Sequence, residues 1–425
     1  MAAPAIPNTS TLRSCLYPRL LTTRDRSTEL VKPLTAEDMV VQPMDDASPT
    51  KWHLAHVTWF FETFVLSRFL PGYQIFDETF NFCFNSYYES QGARQPRGMR
   101  GLLTRPSVDR VIAYRKHVDE ALARLYDLSV GNQPDIDRLV EIGINHEEQH
   151  QELLLMDLLC LFAANPLRPA YIPAKPSLIG DAEAAPLRWS EYTGGLLEFG
   201  HDGQGYAWDN EYPRHQAYLR PFKLANRLVT NGEWLAFMQD DGYRDASHWL
   251  ADGWSAVQRE AWRCPLYWEG YGADWKQMTL EGLRPLEKAA PVCNVSYFEA
   301  DAFARWSGHR LPTEFEWELA ARALPTHAAT FTPELTPAAL KDNEQLSQMY
   351  GSVWQWTQSA YAPYPGYVPP PGAIGEYNGK FMVSQQVLRG ASCITPPGHS
   401  RATYRNFFYP QQRWQFAGLR LAADI

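Results

Sequence analysis

The chain predicts a two-domain protein, a helical bundle followed by an irregular α+β domain, and three observations carry that prediction. Residues 10–165 hold four long segments with apolar positions at spacings of three and four. Residues 165–186 contain five prolines among small residues, and the text after residue 187 is broken by Gly, Trp and Pro into short runs. A length of 425 residues is more than one ordinary core accommodates, so the domains are placed at 1–180 and 181–425.

In order along the chain, helices are expected over Thr11–Leu30, Pro49–Phe69, Val108–Leu128 and Ile136–Ala164. Pro106-Ser107 and Pro134-Asp135 stand where the third and fourth need their starts. Four such helices make a bundle. The connection from Pro71 to Arg105 is rich in aromatics and arginines, and connections of that length inside a compact domain are usually functional. The proline-rich stretch Asn165–Pro186 reads as an extended strap between domains. Beyond it, β-like runs fall at Leu196–Phe199, Phe222–Ala225 and Val387–Arg389, with helices at Thr230–Gln239 and Tyr297–Trp306.

Composition narrows the function classes. The formal net charge is −9 and acids and bases are interspersed, so no basic stripe exists to hold phosphates, and nucleic acid is not an expected partner. Met1–Leu20 is interrupted by Pro4, Pro7 and Pro18 and lacks a continuous apolar core, so export is not expected. The most apolar run, Leu153–Ala164, is too short for a bilayer and carries Asp157, which makes it a buried helix segment and leaves no membrane association. Six scattered cysteines without a CxxC pair fit a reducing compartment, the cytoplasm.

Chemistry concentrates in His146-Glu147-Glu148-Gln149-His150. A spacing of four puts both imidazoles on one helix face, and the apolar residues that follow, Leu153, Leu154 and Met156–Leu159, turn that face into the bundle. Two histidines on a helix are often only surface polar groups, and the same five residues also spell the HExxH of zinc hydrolases, in which the acid is a general base. A zinc hydrolase or thiol transferase is therefore the rival reading, and a lectin-like binding module with a vestigial metal site is a third. The best third ligand is His56, upstream on another helix among apolar neighbours, with His53 a supporting residue at most. Three imidazoles on one side of a metal leave open positions opposite, which suits iron(II) with O2 and equally suits zinc with water.

These residues resemble the ergothioneine-biosynthesis sulfoxide synthases, whose first domain is DinB-like with one early His and a later HxxxHxE, here His56 and then His146, His150 and Glu152. The second half is similar to formylglycine-generating enzymes, a C-type-lectin-like fold, through Asp209-Asn210-Glu211, Val229–Trp234, Trp306–Glu314, Gly351–Thr357, Arg389–Ser392 and Gly418-Leu419-Arg420. Formylglycine chemistry itself is not expected, because that activity uses two late cysteines and this chain offers only Cys393.

The resemblance implies an Fe(II) cofactor, the substrates hercynine, O2 and a thiol, and a product with a carbon–sulfur bond and a sulfoxide. It implies Gln149 and Asn406 at hercynine's carboxylate or trimethylammonium end, Phe407 and Phe408 among the substrate contacts, and a tyrosine from Asn85–Glu89 that delivers a proton and an electron: Tyr88, with Tyr87 beside it. Members that use γ-glutamylcysteine carry an acid and an arginine where Phe408 and Gln412 stand here, so free cysteine is the favoured donor. Its carboxylate would meet Arg97 and Arg100 of the first-domain loop.

Overall fold

The computed structural model describes residues 9–128, 133–174, 184–272, 274–326, 335–340 and 345–425. The chain divides into two compact units, Met1–Leu161 and Phe162–Ile425, a helical unit and a sheet-rich one. The boundary expected at residue 180 lies outside the described residues.

The first unit runs α1 (Thr9–Val31), α2 (Thr50–Phe61), the single turn α3 (Ser67–Phe69), α4 (Phe80–Phe84), α5 (Val108–Asp127) and α6 (Gln133–Ala164). The four long helices stand where apolar spacing put them, and Ser107 caps α5 by accepting the Arg110 N–H. Every residue of α2 is buried, including the polar Thr50, Lys51, His53, His56 and Thr58. Gly143 lets α6 lie close against it, because an added Cβ would meet the Phe61 ring at 2.5 Å.

The expected helix from Pro49 to Phe69 is not a single α-helix. At Glu62 the backbone widens into a π-helix that lasts to Leu66 before α3 resumes. The Glu62 carboxylate is fixed there by the Tyr73 hydroxyl at 2.6 Å, the Phe76 N–H at 3.1 Å and the Tyr114 hydroxyl at 2.5 Å. The Ser67 hydroxyl donates to the Glu62 carbonyl at 2.7 Å, a contact the wider turn brings into reach.

The second unit is built from small sheets. The strands β1 (Trp189–Tyr192), β4 (Phe222–Ala225) and β12 (Ala422–Asp424) form one antiparallel sheet, so the first and last strands of the unit flank β4. A hairpin joins β2 (Gly195–Phe199) to β3 (His215–Leu219). A three-stranded meander follows, β5 (Trp268–Tyr271), β6 (Asp274–Thr279) and β7 (Gly282–Pro285). The largest sheet has the order β10 (Asn406–Phe408), β9 (Gln386–Gly390), β8 (Trp354–Ala360) and β11 (Ala417–Gly418).

Helices α7 (Asn231–Gln239), α9 (Tyr297–Trp306) and α10 (Glu314–Ala321) each start with a capping box, Thr230 with Glu233, Ser296 with Glu299 and Thr313 with Glu316. Their core includes Phe199, Phe222, Leu224, Trp317 and Met349. The expected runs in this unit are present, whereas α8 (Ala251–Glu260), α10 and the β5–β7 meander are among the elements that the sequence reading does not anticipate. Among the described residues no helix is long and apolar enough to cross a membrane.

Candidate metal centre

α2 and α6 bring His56, His146 and His150 together, with one ligand-capable nitrogen of each ring within 4.8 Å of those of the others. Ring centroids are 4.9 Å apart for His56 and His146, 4.8 Å for His56 and His150, and 4.7 Å for His146 and His150. At 100° per residue, His146, His150 and Asp157 fall within about 40° of one another on α6, which is why one face delivers all three toward α2.

Burial sets the charge state of these rings. Removal from water pushes the pKa of His146 down to about 3. The same desolvation, followed by the mutual repulsion of the rings, drives His56 and His150 well below the ordinary imidazole range. The three imidazoles are therefore neutral at pH 7 and keep lone pairs. His56 Nδ1 lies 2.6 Å from the Phe84 carbonyl and must be the protonated nitrogen, since a carbonyl only accepts. Its Nε2 is then a lone pair, and that atom is buried with no hydrogen bond. A buried acceptor left in this state is what a metal ion would satisfy, so the donor set fits a borderline divalent cation such as iron(II) or zinc.

His53 packs beside the trio. Its Nδ1 is 2.8 Å from Nδ1 of His150 and its Nε2 is 3.0 Å from Oδ2 of Asp157. The same carboxylate oxygen accepts the Ser48 N–H at 2.8 Å. His53 is turned only about 60° from His56 on α2, far enough to leave the trio and near enough to touch it.

Glu147, the acid that a zinc hydrolase would use as its base, faces elsewhere. Its carboxylate accepts from Arg24 at 3.1 Å, from Ser27 at 2.6 Å and from Arg115. Burial alone would raise its pKa, but Arg115 and Arg24 outweigh that and hold it at about 2. It is a permanent carboxylate that ties α6 to α1 and α5.

The remaining predicted residues fall into three groups. Around the trio in the first unit, the Trp52 ring stacks on His56 at 4.6 Å, and the Arg100 guanidinium lies over the same Trp52 ring at 3.4 Å. Arg100 is 3 % exposed and bonds to the Ser48 and Ser86 hydroxyls at 2.9 and 3.0 Å, while its Nε makes no hydrogen bond. Burial, then the nearby Arg97, lowers its pKa to about 8. Tyr88 is buried one ring from His56, with Trp59 5.7 Å from each of the two. Tyr87 is half-buried and stacks on Tyr88 at 4.7 Å, and Gln149 is half-buried on α6 beside His150.

Arg97 forms the second group alone. It is exposed, with one guanidinium nitrogen 3.5 Å from the Asp46 carbonyl. The third group is on β10 of the second unit: Asn406 accepts its neighbour's N–H, Phe407 stacks on Tyr361 at 4.1 Å and Phe408 meets Trp414 edge-on at 5.6 Å.

Comparison with known proteins identifies both units. Residues 19–154 match the DinB superfamily, and residues 190–336 and 335–425 match the sulfatase-modifying factor enzyme 1-like domain. The hercynine oxygenase of Mycolicibacterium smegmatis is 32% identical over 316 residues, covering 66% of this chain and 71% of that protein. The hercynine oxygenase of Mycobacterium tuberculosis is 33% identical over 309 residues, covering 66% and 70%. Ergothioneine biosynthesis protein 1 of Schizosaccharomyces pombe is 27% identical over 235 residues, covering 52% of this chain and 28% of that protein.

Proposed function

We propose that this chain, which belongs to the hercynine oxygenase family with its DinB and sulfatase-modifying-factor-like domains, is an iron(II)- and O2-dependent synthase that joins hercynine to a thiol as a sulfoxide. The observation that carries this reading is the trio of neutral imidazoles contributed by two helices, His56 and His146 buried and His150 half-buried, with the Nε2 of His56 lacking a hydrogen-bond partner among the described residues. Iron bound there would supply open coordination positions at which hercynine, a thiolate and O2 can meet. The reaction balances with O2 as the only oxidant: one C–H and one S–H are lost, a carbon–sulfur bond forms, one oxygen atom ends on sulfur and the other leaves as water.

The protein's own groups supply the rest. Gln149 and Asn406 are assigned to hercynine, with Phe407 and Phe408 among the substrate contacts. Tyr88, with Tyr87 beside it, is assigned the proton- and electron-donating role. Arg100 suits the thiol donor's carboxylate, because among the described residues its buried guanidinium has two serine hydroxyls as hydrogen-bond partners and would gain from an anion. Arg97 is assigned an outer part in the same recognition. Cysteine is the favoured donor, since Phe408 and Gln412 offer no charge to a γ-glutamyl group. Placement in the cytoplasm is part of the proposal, supported by cysteines that are scattered along the chain without a CxxC pair.

The zinc-hydrolase reading is weaker on physical grounds, because Glu147 is committed to two arginines and a serine. Anaerobic reconstitution with iron(II), addition of hercynine with cysteine or γ-glutamylcysteine, and then air separates the readings by product mass. A conjugated sulfoxide that requires both iron and O2, formed faster with cysteine, is expected. Peptide or ester cleavage by the zinc form, with no conjugate from the iron form, would overturn the proposal.

A further inference from the structure

We infer that His53 and Asp157 are positioning residues that fix which nitrogen of His150 is offered to a metal. The inference rests on the metal reading given above, and on hydrogen-bond bookkeeping along three side chains.

Asp157 is a buried carboxylate whose Oδ2 already accepts the Ser48 N–H at 2.8 Å, so toward His53 it acts as acceptor. His53 Nε2, 3.0 Å away, must therefore carry the proton. With its proton on Nε2, His53 presents Nδ1 as the acceptor. Two ring nitrogens 2.8 Å apart share one proton, and here it belongs to His150 Nδ1. Nε2 of His150 is left as the lone pair. With the opposite arrangement His150 would carry its proton on Nε2 and could not bind a cation there.

The same outcome is reached at His56 by a backbone carbonyl, Phe84, which no substitution removes. At His150 it is reached by two side chains, and these can be tested. The placement is also economical in sequence. His53 lies three residues before the ligand His56 on α2, and Asp157 lies seven after His150 on the same face of α6. The relay thus crosses from one helix to the other and holds the two ligand-bearing elements in register. Partners of this kind set ring orientation and ligand basicity at metal sites, and their loss lowers metal affinity by about 10–100-fold.

The test is cobalt(II) titration of the metal-free full chain, followed by visible absorption, with thermal unfolding of each metal-free variant as the control for folding. His53→Phe keeps the ring's bulk and removes both nitrogens. It is expected to bind cobalt roughly 10–100-fold more weakly, with an altered absorption envelope. His53→Asn returns an amide oxygen close to the position of Nδ1 and is expected to restore affinity to within about threefold of the parent. Asp157→Asn keeps shape and weakens the acceptor, with a loss of about threefold to tenfold expected, and it serves as the second variant should His53→Phe not fold. Parent-like affinity and spectrum in both His53→Phe and Asp157→Asn overturn the relay alone. Absence of cobalt binding by the parent overturns the three-histidine site and the relay with it.

Discussion

His56, His146 and His150 owe their chemistry to desolvation, which keeps imidazoles neutral, and at His56 to a hydrogen bond that chooses the nitrogen left bare. Around them single side chains divide the remaining work, and two substitutions isolate it. Arg100→Met removes the buried guanidinium while keeping much of its apolar packing on Trp52. The KM for cysteine is expected to rise about tenfold or more with a smaller change in kcat, as when a charged hydrogen bond to substrate is lost. Steady-state kinetics with cysteine varied at saturating hercynine checks this, and an unchanged KM would remove Arg100 from the thiol site. Tyr88→Phe keeps the ring among Trp59, Phe64 and Tyr87 and loses only the hydroxyl. Sulfoxide yield is expected to fall about a hundredfold, in the range of lost acid–base catalysis, with cysteine sulfinate appearing and metal content unchanged; product analysis by mass decides it. At this level the sequence was partly readable. Spacing of four and an apolar context pointed to the two α6 imidazoles, and His56 stood out by its neighbours. His53 is legible only as a supporting residue and the part proposed for Asp157 is not legible, although a signal exists: an acid inside the most apolar helical run needs a buried partner. Asp157 served only as an argument against a membrane span.

Helix α6 does two jobs with two faces. His146, His150 and Asp157 line the side toward α2, while Glu147, about 100° around from His146, anchors the other side to Arg24 of α1 and Arg115 of α5. Replacing Glu147 by Gln takes from the buried Arg115 its carboxylate partner and leaves Arg24 with Asp119 alone. Breaking such a pair costs about 3–5 kcal/mol, measurable by denaturant unfolding of the metal-free protein. A variant as stable as the parent would show that the carboxylate is not a clamp and would reopen its use as a base. The helices themselves were legible because their amphipathic period is long and their starts are marked by Pro and Ser. The π-helix after Phe61 was not, since it arises from Glu62 meeting Tyr73 and Tyr114 across the fold rather than from local preference. In the second unit the strands that match β2, β4 and β9 were found by short apolar runs. The β5–β7 meander escaped because its text, Trp268–Pro285, alternates weakly and carries charge.

Two units share the labour of the chain, and the first concentrates groups whose titration couples metal binding to folding. In the unfolded chain a histidine titrates near 6.5, whereas burial holds His146 at about 3 and moves His56 and His150 in the same direction. Folded pKa values below the unfolded ones mean stability that is complete above about pH 6.5 and is lost as acidity rises toward the folded values. Glu147, lowered from 4.5 to about 2, adds a second window beneath pH 4.5 with the same sign. For the metal-free protein, stability is therefore expected to fall between pH 7.5 and 5, before carboxylates titrate, by about 2 kcal/mol at pH 5 from His146, with His56 and His150 acting in the same direction and Tm falling accordingly. Calorimetry across that range checks it, and a flat Tm would show the rings to be protonated or solvated. The most direct test of the account is anomalous diffraction at the iron edge from crystals grown anaerobically with iron(II). The expected result is one peak within bonding distance, about 2.1 Å, of nitrogens from His56, His146 and His150, with Glu147 still held by Arg24 and Arg115. A peak elsewhere, or one ligated by Glu147 in place of His56, would contradict it.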